Sequence, residues 1–193
     1  HSKYKDYRLI YDNVEAGALM DVSRYFGKKA ADKIEPPSEN GPSQTVEEFY
    51  FNFDDAVKEG RPFIYVLDSM DSLDTDDDQD KFEERKKARG TSKEVSGSYG
   101  MSKAKANSSG MRKIVLGLQK TNSILFVISQ TRDNVGTFSF EKKTRSGGKA
   151  LRFYACIEMW LAIKEKLKKT VKGKARQVGI IAEIKIKKNR VTG

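Results

Sequence analysis

Two uninterrupted apolar runs restrict the fold of this sequence more than any other feature. PFIYVLD at residues 62–68 and SILFVIS at residues 123–129 show no alternation between polar and apolar positions. Continuous runs of this length are typical of strands buried on both faces of a parallel sheet. A segment with helical spacing precedes each run, so strands and helices alternate along the chain. The sequence therefore predicts an α/β fold with a mainly parallel sheet.

The segments around these runs complete the expected order of elements. YRLIYD at residues 7–12 predicts a strand, and the spacing that follows it predicts a helix ending near Gly27. Thr45-Val46-Glu47-Glu48 is a capping box that opens a helix, which Gly60 ends. Residues 99–122 predict another helix, which Gly110 weakens in its middle.

The C-terminal part of the chain has a different pattern. YACIEMWLAIKEKL and VGIIAEIKIKK predict two strands joined by a basic turn at residues 168–176, which would form an antiparallel hairpin. Residues 74–99 form a charged insertion of low hydrophobicity, which we expect to be mobile or only partly helical. Residues 131–148 predict a polar loop that ends in two glycines.

Charge and cysteine content narrow the functional classes. The formal net charge of +10 favours a polyanionic partner, usually nucleic acid, although a generically basic protein is the alternative. A single cysteine excludes an internal disulfide and fits a reducing cytoplasm. The sequence has no apolar run of membrane-spanning length and no visible signal peptide, so we expect no membrane partner.

Polar residues stand at the carboxyl ends of the predicted strands, where parallel sheets bind their ligands. Asp68 and Ser69 end the first apolar run, and this position suits a carboxylate that holds a water of a Mg²⁺ shell. Glu15 follows the first strand and could orient or deprotonate an attacking water. Gln130 follows the second apolar run and could sense a γ-phosphate. Each residue also has a common structural explanation. Asp68 could cap a turn, Glu15 could interact favourably with a helix dipole, and Gln130 could simply be a polar residue that ends a strand.

The successive blocks of the chain resemble a known family. LIYDNVEAGAL, FIYVLDSMDSL, MRKIVLGLQKTNSILFVISQTRDNVG, TRSGGKALRFYACIEMWL and IKIKKNR resemble the core of RecA-type recombinases, most closely the bacteriophage RecA-like branch. The run Ser-Gln-x-Arg, a loop, and then Gly-Gly-Lys-Ala-Leu-Arg-Phe-Tyr-Ala is specific to recombinases. The resemblance implies one RecA-like P-loop NTPase core over residues 1–193, with a parallel sheet flanked by helices and a C-terminal antiparallel hairpin.

The resemblance also implies roles for particular residues. Glu15 takes the place of the catalytic glutamate, and Asp68 with Ser69 takes the Walker B place beside ATP and Mg²⁺, which Asp68 would hold through water. Gln130 matches the glutamine that couples ATP to DNA. Lys188 and Arg190 fall where the family has two basic residues that reach the ATP of a neighbouring subunit.

Two segments correspond to the DNA-binding loops of the family. Residues 74–99 replace the first loop and are longer and more charged than usual, and residues 131–148 correspond to the second. The residues expected to contact DNA in or beside the second loop are Arg132, Lys142, Lys143, Arg145, Gly147, Gly148 and Lys149. Positive charge there suits phosphates, and the glycines permit close approach to a strand.

One motif of the family does not occur in these 193 residues. No G-x-x-x-x-G-K-[ST] phosphate loop is present, and we expect that the chain is a fragment truncated just after it rather than a member that lost it. The loop supplies most of the groups that cradle phosphates, so we expect this chain alone to show no measurable ATPase activity, whereas the complete protein would be a DNA-dependent ATPase.

The sequence leaves three functions open. The first is a cytoplasmic recombinase of a bacterium or phage-infected host, which binds single-stranded DNA as an ATP-dependent helical filament and pairs it with duplex DNA. The second is a hexameric replicative helicase of the same fold. The third is a non-catalytic nucleic-acid-binding recombination mediator that has no ATP site.

Overall fold

A computed structural model describes residues 2–16, 22–89, 101–133, 143–145 and 148–192. After a 3-10 helix (Ser2–Tyr4), the strands are β1 (Arg8–Asn13), β2 (Ile34–Glu35), β3 (Phe63–Asp68), β4 (Ile124–Val127), β5 (Thr131–Asp133), β6 (Lys143–Arg145), β7 (Ile157–Val171) and β8 (Lys174–Asn189). The α-helices are α1 (Val22–Phe26), α2 (Lys28–Ala31), α3 (Val46–Lys58), α4 (Asp76–Lys87), α5 (Met101–Thr121) and α6 (Ala150–Tyr154). The chain divides into two compact units, residues 1–151 and residues 152–193.

A parallel sheet of four strands organises the first unit. Its strand order is β2-β1-β3-β4, and every pair in it is parallel. In the register between β1 and β3, Asn13 lies beside Asp68, and between β3 and β4, Leu67 lies beside Val127. The parallel sheet expected from the two apolar runs is therefore confirmed, and the carboxyl ends of its three longest strands lie at one edge.

Only one face of β3 is fully buried. Phe63, Tyr65 and Leu67 have no exposed surface, whereas the residues between them are partly exposed. Helix α3 covers the buried face, because the rings of Phe49 and Phe53 each lie 5.6 Å from the ring of Tyr65. The expectation of complete burial on both faces is wrong for β3, since an apolar run does not reveal how fully each face is covered.

The start of α3 follows the predicted capping box. Thr45 Oγ1 accepts a hydrogen bond from the backbone N–H of Glu48 at 3.1 Å, and the Glu48 carboxylate accepts one from the N–H of Gln44 at 2.7 Å. The return bond thus goes to the residue before the cap. These bonds satisfy N–H groups that the first turn of a helix leaves without partners.

Gly110 has a packing role that the helix pattern does not indicate. It lies in the middle of α5, where a Cβ atom would come within 2.3 Å of the ring of Tyr50 on α3. The hydroxyl of Tyr50 donates to the side-chain oxygen of Asn107 at 2.9 Å, which fixes the ring against α5. The residue that weakens the isolated helix therefore permits α3 and α5 to approach each other closely.

The second unit consists mainly of a long antiparallel hairpin of β7 and β8. The predicted hairpin is confirmed, but the predicted turn at residues 168–176 is wrong. The strands continue until Val171 and restart at Lys174, so the turn contains only Lys172 and Gly173, with φ of 51° and 75°. A two-residue turn with both φ values positive matches the twist of a hairpin, which explains why the basic residues beside it extend the strands.

Four other segments agree with or depart from their sequence patterns. The charged insertion contains helix α4, and residues 90–99 lie outside the described residues. The loop expected at residues 131–148 is paired at its base, where β5 and β6 form an antiparallel ladder. Tyr154 ends α6 rather than opening a strand. Of the helix expected after the first strand, the structure describes α1, and residues 17–21 lie outside the described residues.

We predict that Gly110→Ala destabilises the protein, although alanine is the better helix former by about 1 kcal/mol. The clash with Tyr50 should outweigh this gain and lower the free energy of unfolding by about 1–3 kcal/mol, which urea denaturation would measure. The control is Ser109→Ala, an exposed position of the same helix, where we expect a change within about 0.5 kcal/mol. A stabilised Gly110→Ala variant would contradict the packing of α3 against α5.

Candidate functional site

The turn after β3 presents polar side chains because its apolar ones are buried. Met70 and Leu73 are fully buried, whereas Asp71 and Ser72 reach the surface. The turn is fixed to β4 by the N–H of Met70, which donates to the carbonyl of Ile128 at 3.0 Å. Its far end is fixed to the start of α3, where the N–H of Val46 donates to the carbonyl of Asp74 at 2.9 Å, so the turn has main-chain contacts on both sides.

Polar groups that follow three strands meet at one carboxylate oxygen. Glu15 Oε1 accepts hydrogen bonds from the hydroxyl of Ser69, from the hydroxyl of Ser72 at 3.2 Å, and from the side-chain amide of Gln130 at 3.0 Å. The backbone N–H of Glu15 also donates to the carbonyl of Asp68 at 3.1 Å. The structure thus brings together Glu15, Ser69 and Gln130, which lie far apart in sequence.

These bonds determine the protonation of Glu15. Its pKa is lowered, chiefly by the hydrogen bond from Ser69, with further contributions from Ser72 and Gln130. Desolvation and the nearby charge of Asp71 act in the opposite direction. Each donor favours the ionised carboxylate, so Glu15 is an anion at neutral pH.

Asp68 lies beside this cluster and has a different partner. The hydroxyl of Tyr11 on β1 donates to Asp68 Oδ2 at 2.8 Å. Burial and this hydrogen bond to a carboxylate raise the pKa of Tyr11 to about 12. Tyr11 therefore stays a hydrogen-bond donor, which orients the carboxylate of Asp68 at the strand end.

A second strand-end carboxylate is structural. Asp12 is fully buried and accepts hydrogen bonds from the N–H of Ser43 at 2.9 Å, the hydroxyl of Ser43 at 2.6 Å and the hydroxyl of Tyr65 at 2.8 Å. Asn52 donates in turn to Ser43 Oγ at 2.9 Å. These donors use both oxygens of Asp12 to join β1, β3 and α3.

Lys188 and Arg190 lie in the second unit and contact the end of α6. The Lys188 ammonium donates to the carbonyl of Arg152 and, at 2.9 Å, to the carbonyl of Phe153. Desolvation, with the nearby charge of Arg190, lowers the pKa of Lys188. The guanidinium of Arg190 lies 5.7 Å from the ring centroid of Phe153. Lys188 thus caps this short helix in the described conformation, and Arg190 lies against the Phe153 ring.

The structure places only part of the predicted DNA-contacting set. Lys142 and Gly147 lie outside the described residues, and Arg132, Lys143 and Arg145 are described by their backbones alone. Arg132 pairs with Thr144 across the β5–β6 ladder. Lys149 is exposed. Gly148 has a φ of 79°, a conformation that favours glycine, and a Cβ there would lie 2.9 Å from the side chain of Ala104, so its close approach is to a helix.

Sequence reasoning missed three side chains of the site. Tyr11 lies two residues before the end of β1 on the side of the strand that faces Asp68, a relation that appears only once the strand register is known. Asp71 and Ser72 continue the polar pattern of DSMDS. The spacing of that pattern, which alternates with buried Met70 and Leu73, is the signal that could have indicated them.

Comparison with known proteins identifies the family. A profile of the RecA N-terminal domain matches residues 87–193, which is more than half of the chain. The chain belongs to the RecA N-terminal domain family. The expected RecA-type recombinase relationship and the α/β RecA-like fold class are confirmed, while the closer resemblance to the bacteriophage branch stays a prediction.

Individual members of the RecA family show a similar extent of likeness. The chain is 34% identical to Protein RecA of Streptococcus gordonii over 102 residues, which are 51% of this chain and 27% of that protein. Protein RecA of Streptococcus agalactiae and of Streptococcus sanguinis are 33% and 34% identical over alignments that cover the same shares. The alignment thus spans about a quarter of each relative. The profile match includes Gln130, whereas Glu15 and Asp68 precede it and are joined to Gln130 by the geometry described above.

We predict that Ser69→Ala raises the pKa of Glu15 towards that of an ordinary glutamate, because Ser69 contributes most to lowering it. Ser72→Ala, the matched control on the same oxygen, should raise it less. Carboxyl carbon NMR over a pH series would measure both values. Because the folded pKa is lowered, the stabilisation from this carboxylate is present above its unfolded pKa and is lost as the pH falls through the folded value. A larger effect of Ser72→Ala would contradict the assigned order of donors.

Proposed function

We propose that this chain is the core of a RecA-type recombinase, and that its two units belong to one ATPase core. The observation that carries the proposal is the hydrogen bond between Gln130 and Glu15 at the shared strand edge. Gln130 directly precedes β5, so one residue joins the carboxylate cluster to the segment expected to contact DNA. Membership of the RecA family supports this reading.

The residues around Asp68 fit a Mg²⁺ ion bound through water. Among the described residues, no three His, Cys, Asp or Glu side chains are grouped as a metal cage. Mg²⁺ keeps several of its waters and is held by one or two carboxylates together with substrate phosphates. Tyr11 occupies one side of the Asp68 carboxylate and orients it. We propose that Asp68 holds a water of the Mg²⁺ shell, and that Mg²⁺ and ATP, when bound, supply the reactive phosphoryl group and neutralise its charge.

The lowered pKa of Glu15 favours one of its two possible roles. An effective general base has a pKa near the working pH. The three donors on Oε1 lower the pKa of Glu15 and so move it further from neutral pH. We infer that Glu15 orients an attacking water as a hydrogen-bond acceptor and does not take its proton at the outset. Its backbone bond to Asp68 holds the two carboxylates in a fixed relation.

Gln130 would act as the link between nucleotide and DNA. Its amide donates to Glu15 in the described conformation and could donate to a phosphate oxygen instead. Such a change would remove a donor from Glu15 at the residue that leads directly into β5. We propose that residues 131–148 bind single-stranded DNA, that a homologous duplex is the second partner, and that residues 74–99 take the place of the first DNA-binding loop.

The remaining roles concern the assembled protein. We propose a helical filament in which Lys188 and Arg190 reach the ATP of a neighbouring subunit. Lys188 would then have to release the two carbonyls at the end of α6.

We also propose a cytoplasmic location. In the parts of the chain that the structure describes, no helix has both the length and the apolar character needed to cross a bilayer.

We predict that Lys142→Ala combined with Arg145→Ala weakens binding to single-stranded DNA and reduces its salt dependence. Each lost phosphate contact reduces the slope of log K against log salt by about 0.7, so the double variant should lose about 1.4. Fluorescence anisotropy with a labelled oligothymidylate at several KCl concentrations would measure the slope. Lys28→Ala with Lys29→Ala, exposed residues of α2, removes the same charge and is the control. Equal losses in both double variants would contradict the location of the DNA site.

A further inference from the structure

Asp71 contacts the main chain of Gln130. Its Oδ2 atom accepts a hydrogen bond from the backbone N–H of Gln130 at 2.7 Å. The side-chain amide of the same glutamine donates to Glu15 at 3.0 Å. Gln130 is therefore held at two points, by Asp71 through its main chain and by Glu15 through its side chain.

The position of Gln130 explains why its backbone N–H needs a side-chain acceptor. Hydrogen bonding between β3 and β4 ends with the Ile128 N–H, which donates to Leu67, and the Met70 N–H, which donates to Ile128. The N–H of Gln130 lies beyond this ladder, and a backbone donor at a strand end requires a partner from elsewhere. A carboxylate gives a stronger bond than a neutral acceptor does. Asp71 supplies it from a turn that is itself fixed on both sides.

The same aspartate is connected to the first turn of α5. The ammonium of Lys103 donates to the backbone carbonyl of Asp71 at 3.2 Å. The next residue of that helix, Ala104, lies against Gly148, where an added Cβ would come within 2.9 Å of the alanine side chain. The first turn of α5 therefore contacts Asp71, which holds Gln130, and it also lies against Gly148.

We propose that Asp71 is a positioning residue that fixes the main chain of Gln130, and that the first turn of α5 braces Asp71 through Lys103. Gln130 is exposed, so its amide would otherwise sample several orientations. With its main chain fixed, the amide reaches Glu15. The functional meaning of this arrangement rests on the proposed nucleotide and DNA roles of Glu15 and Gln130, but the arrangement itself can be tested without ATP or DNA.

The experiment compares Asp71→Ala with Asp71→Asn by NMR. Both variants lose the charge, but asparagine keeps a side-chain oxygen that can accept from Gln130. In Asp71→Ala we expect backbone N–H exchange at Gln130 to become about tenfold faster or more, since a charge-assisted bond is lost. The nuclear Overhauser contact between the Gln130 side-chain amide and the Glu15 side chain should weaken in the same variant. Asp71→Asn, which keeps a weaker neutral acceptor, should give an exchange rate between those of the parent chain and Asp71→Ala, and should retain most of the nuclear Overhauser contact.

Further variants and amides separate positioning from general damage. The N–H of Tyr65 in β3 reports on the sheet and should exchange as in the parent chain. Lys103→Met should accelerate exchange at Gln130 by a smaller factor than Asp71→Ala does. If exchange is unchanged in Lys103→Met, helix α5 does not help to hold Asp71 in place. Unchanged exchange at Gln130 in Asp71→Ala, or equal acceleration in Asp71→Asn, would overturn the positioning role. If the parent chain does not bind DNA, the proposed function is wrong. The exchange rates at Gln130 would still decide the role of Asp71.

Discussion

The parallel pairing of β1, β3 and β4 is the constraint on which the candidate site depends. Because the three strands run in the same direction, the residues that follow them emerge at one edge of the sheet. The register places Asn13 beside Asp68, and the bond from the N–H of Ile128 to the carbonyl of Leu67 extends the pairing beyond β4. A one-residue shift in the register of β1 would turn Tyr11 to the opposite face of the sheet and separate it from Asp68.

The site therefore consists of short polar segments held by a buried apolar framework. The fully buried side chains of Met70 and Leu73 fix the turn after β3, and main-chain bonds attach it to β4 and to α3. Within this frame, Glu15 receives its three donors on one oxygen. Under the proposed function, the resulting anion orients a water as a hydrogen-bond acceptor and does not abstract its proton at the outset.

The sequence predicted those parts of the fold that depend on local pattern. Apolar runs identified β3 and β4, the capping box located the start of α3, and two strand-like segments identified the hairpin. Contacts between distant segments were not predictable in the same way. Gly110 reads as a helix breaker until the Tyr50 ring is seen against it, and the turn at Lys172 and Gly173 depends on backbone angles rather than on charge.

The candidate site also contains some residues that local pattern predicts and others that depend on contacts between distant segments. Glu15, Asp68 and Gln130 could be selected because each follows a predicted strand, and a family resemblance gave them roles. The polar pattern could have indicated Asp71 but not its role, because its partner is a backbone N–H 59 positions away. The roles of Lys188 and Arg190 on ATP likewise stay a proposal, since in the second unit both contact the end of α6.

The most direct test of the central claim follows the side-chain amide of Gln130 by NMR over a pH series. If Gln130 donates to Glu15, its amide resonance should titrate with a midpoint below the ordinary pKa of glutamate, because the donors lower the pKa of that carboxyl. In Glu15→Gln this titration should vanish. A Gln130 resonance that does not respond to pH, or that titrates unchanged in Glu15→Gln, would show that the strand ends do not converge as described.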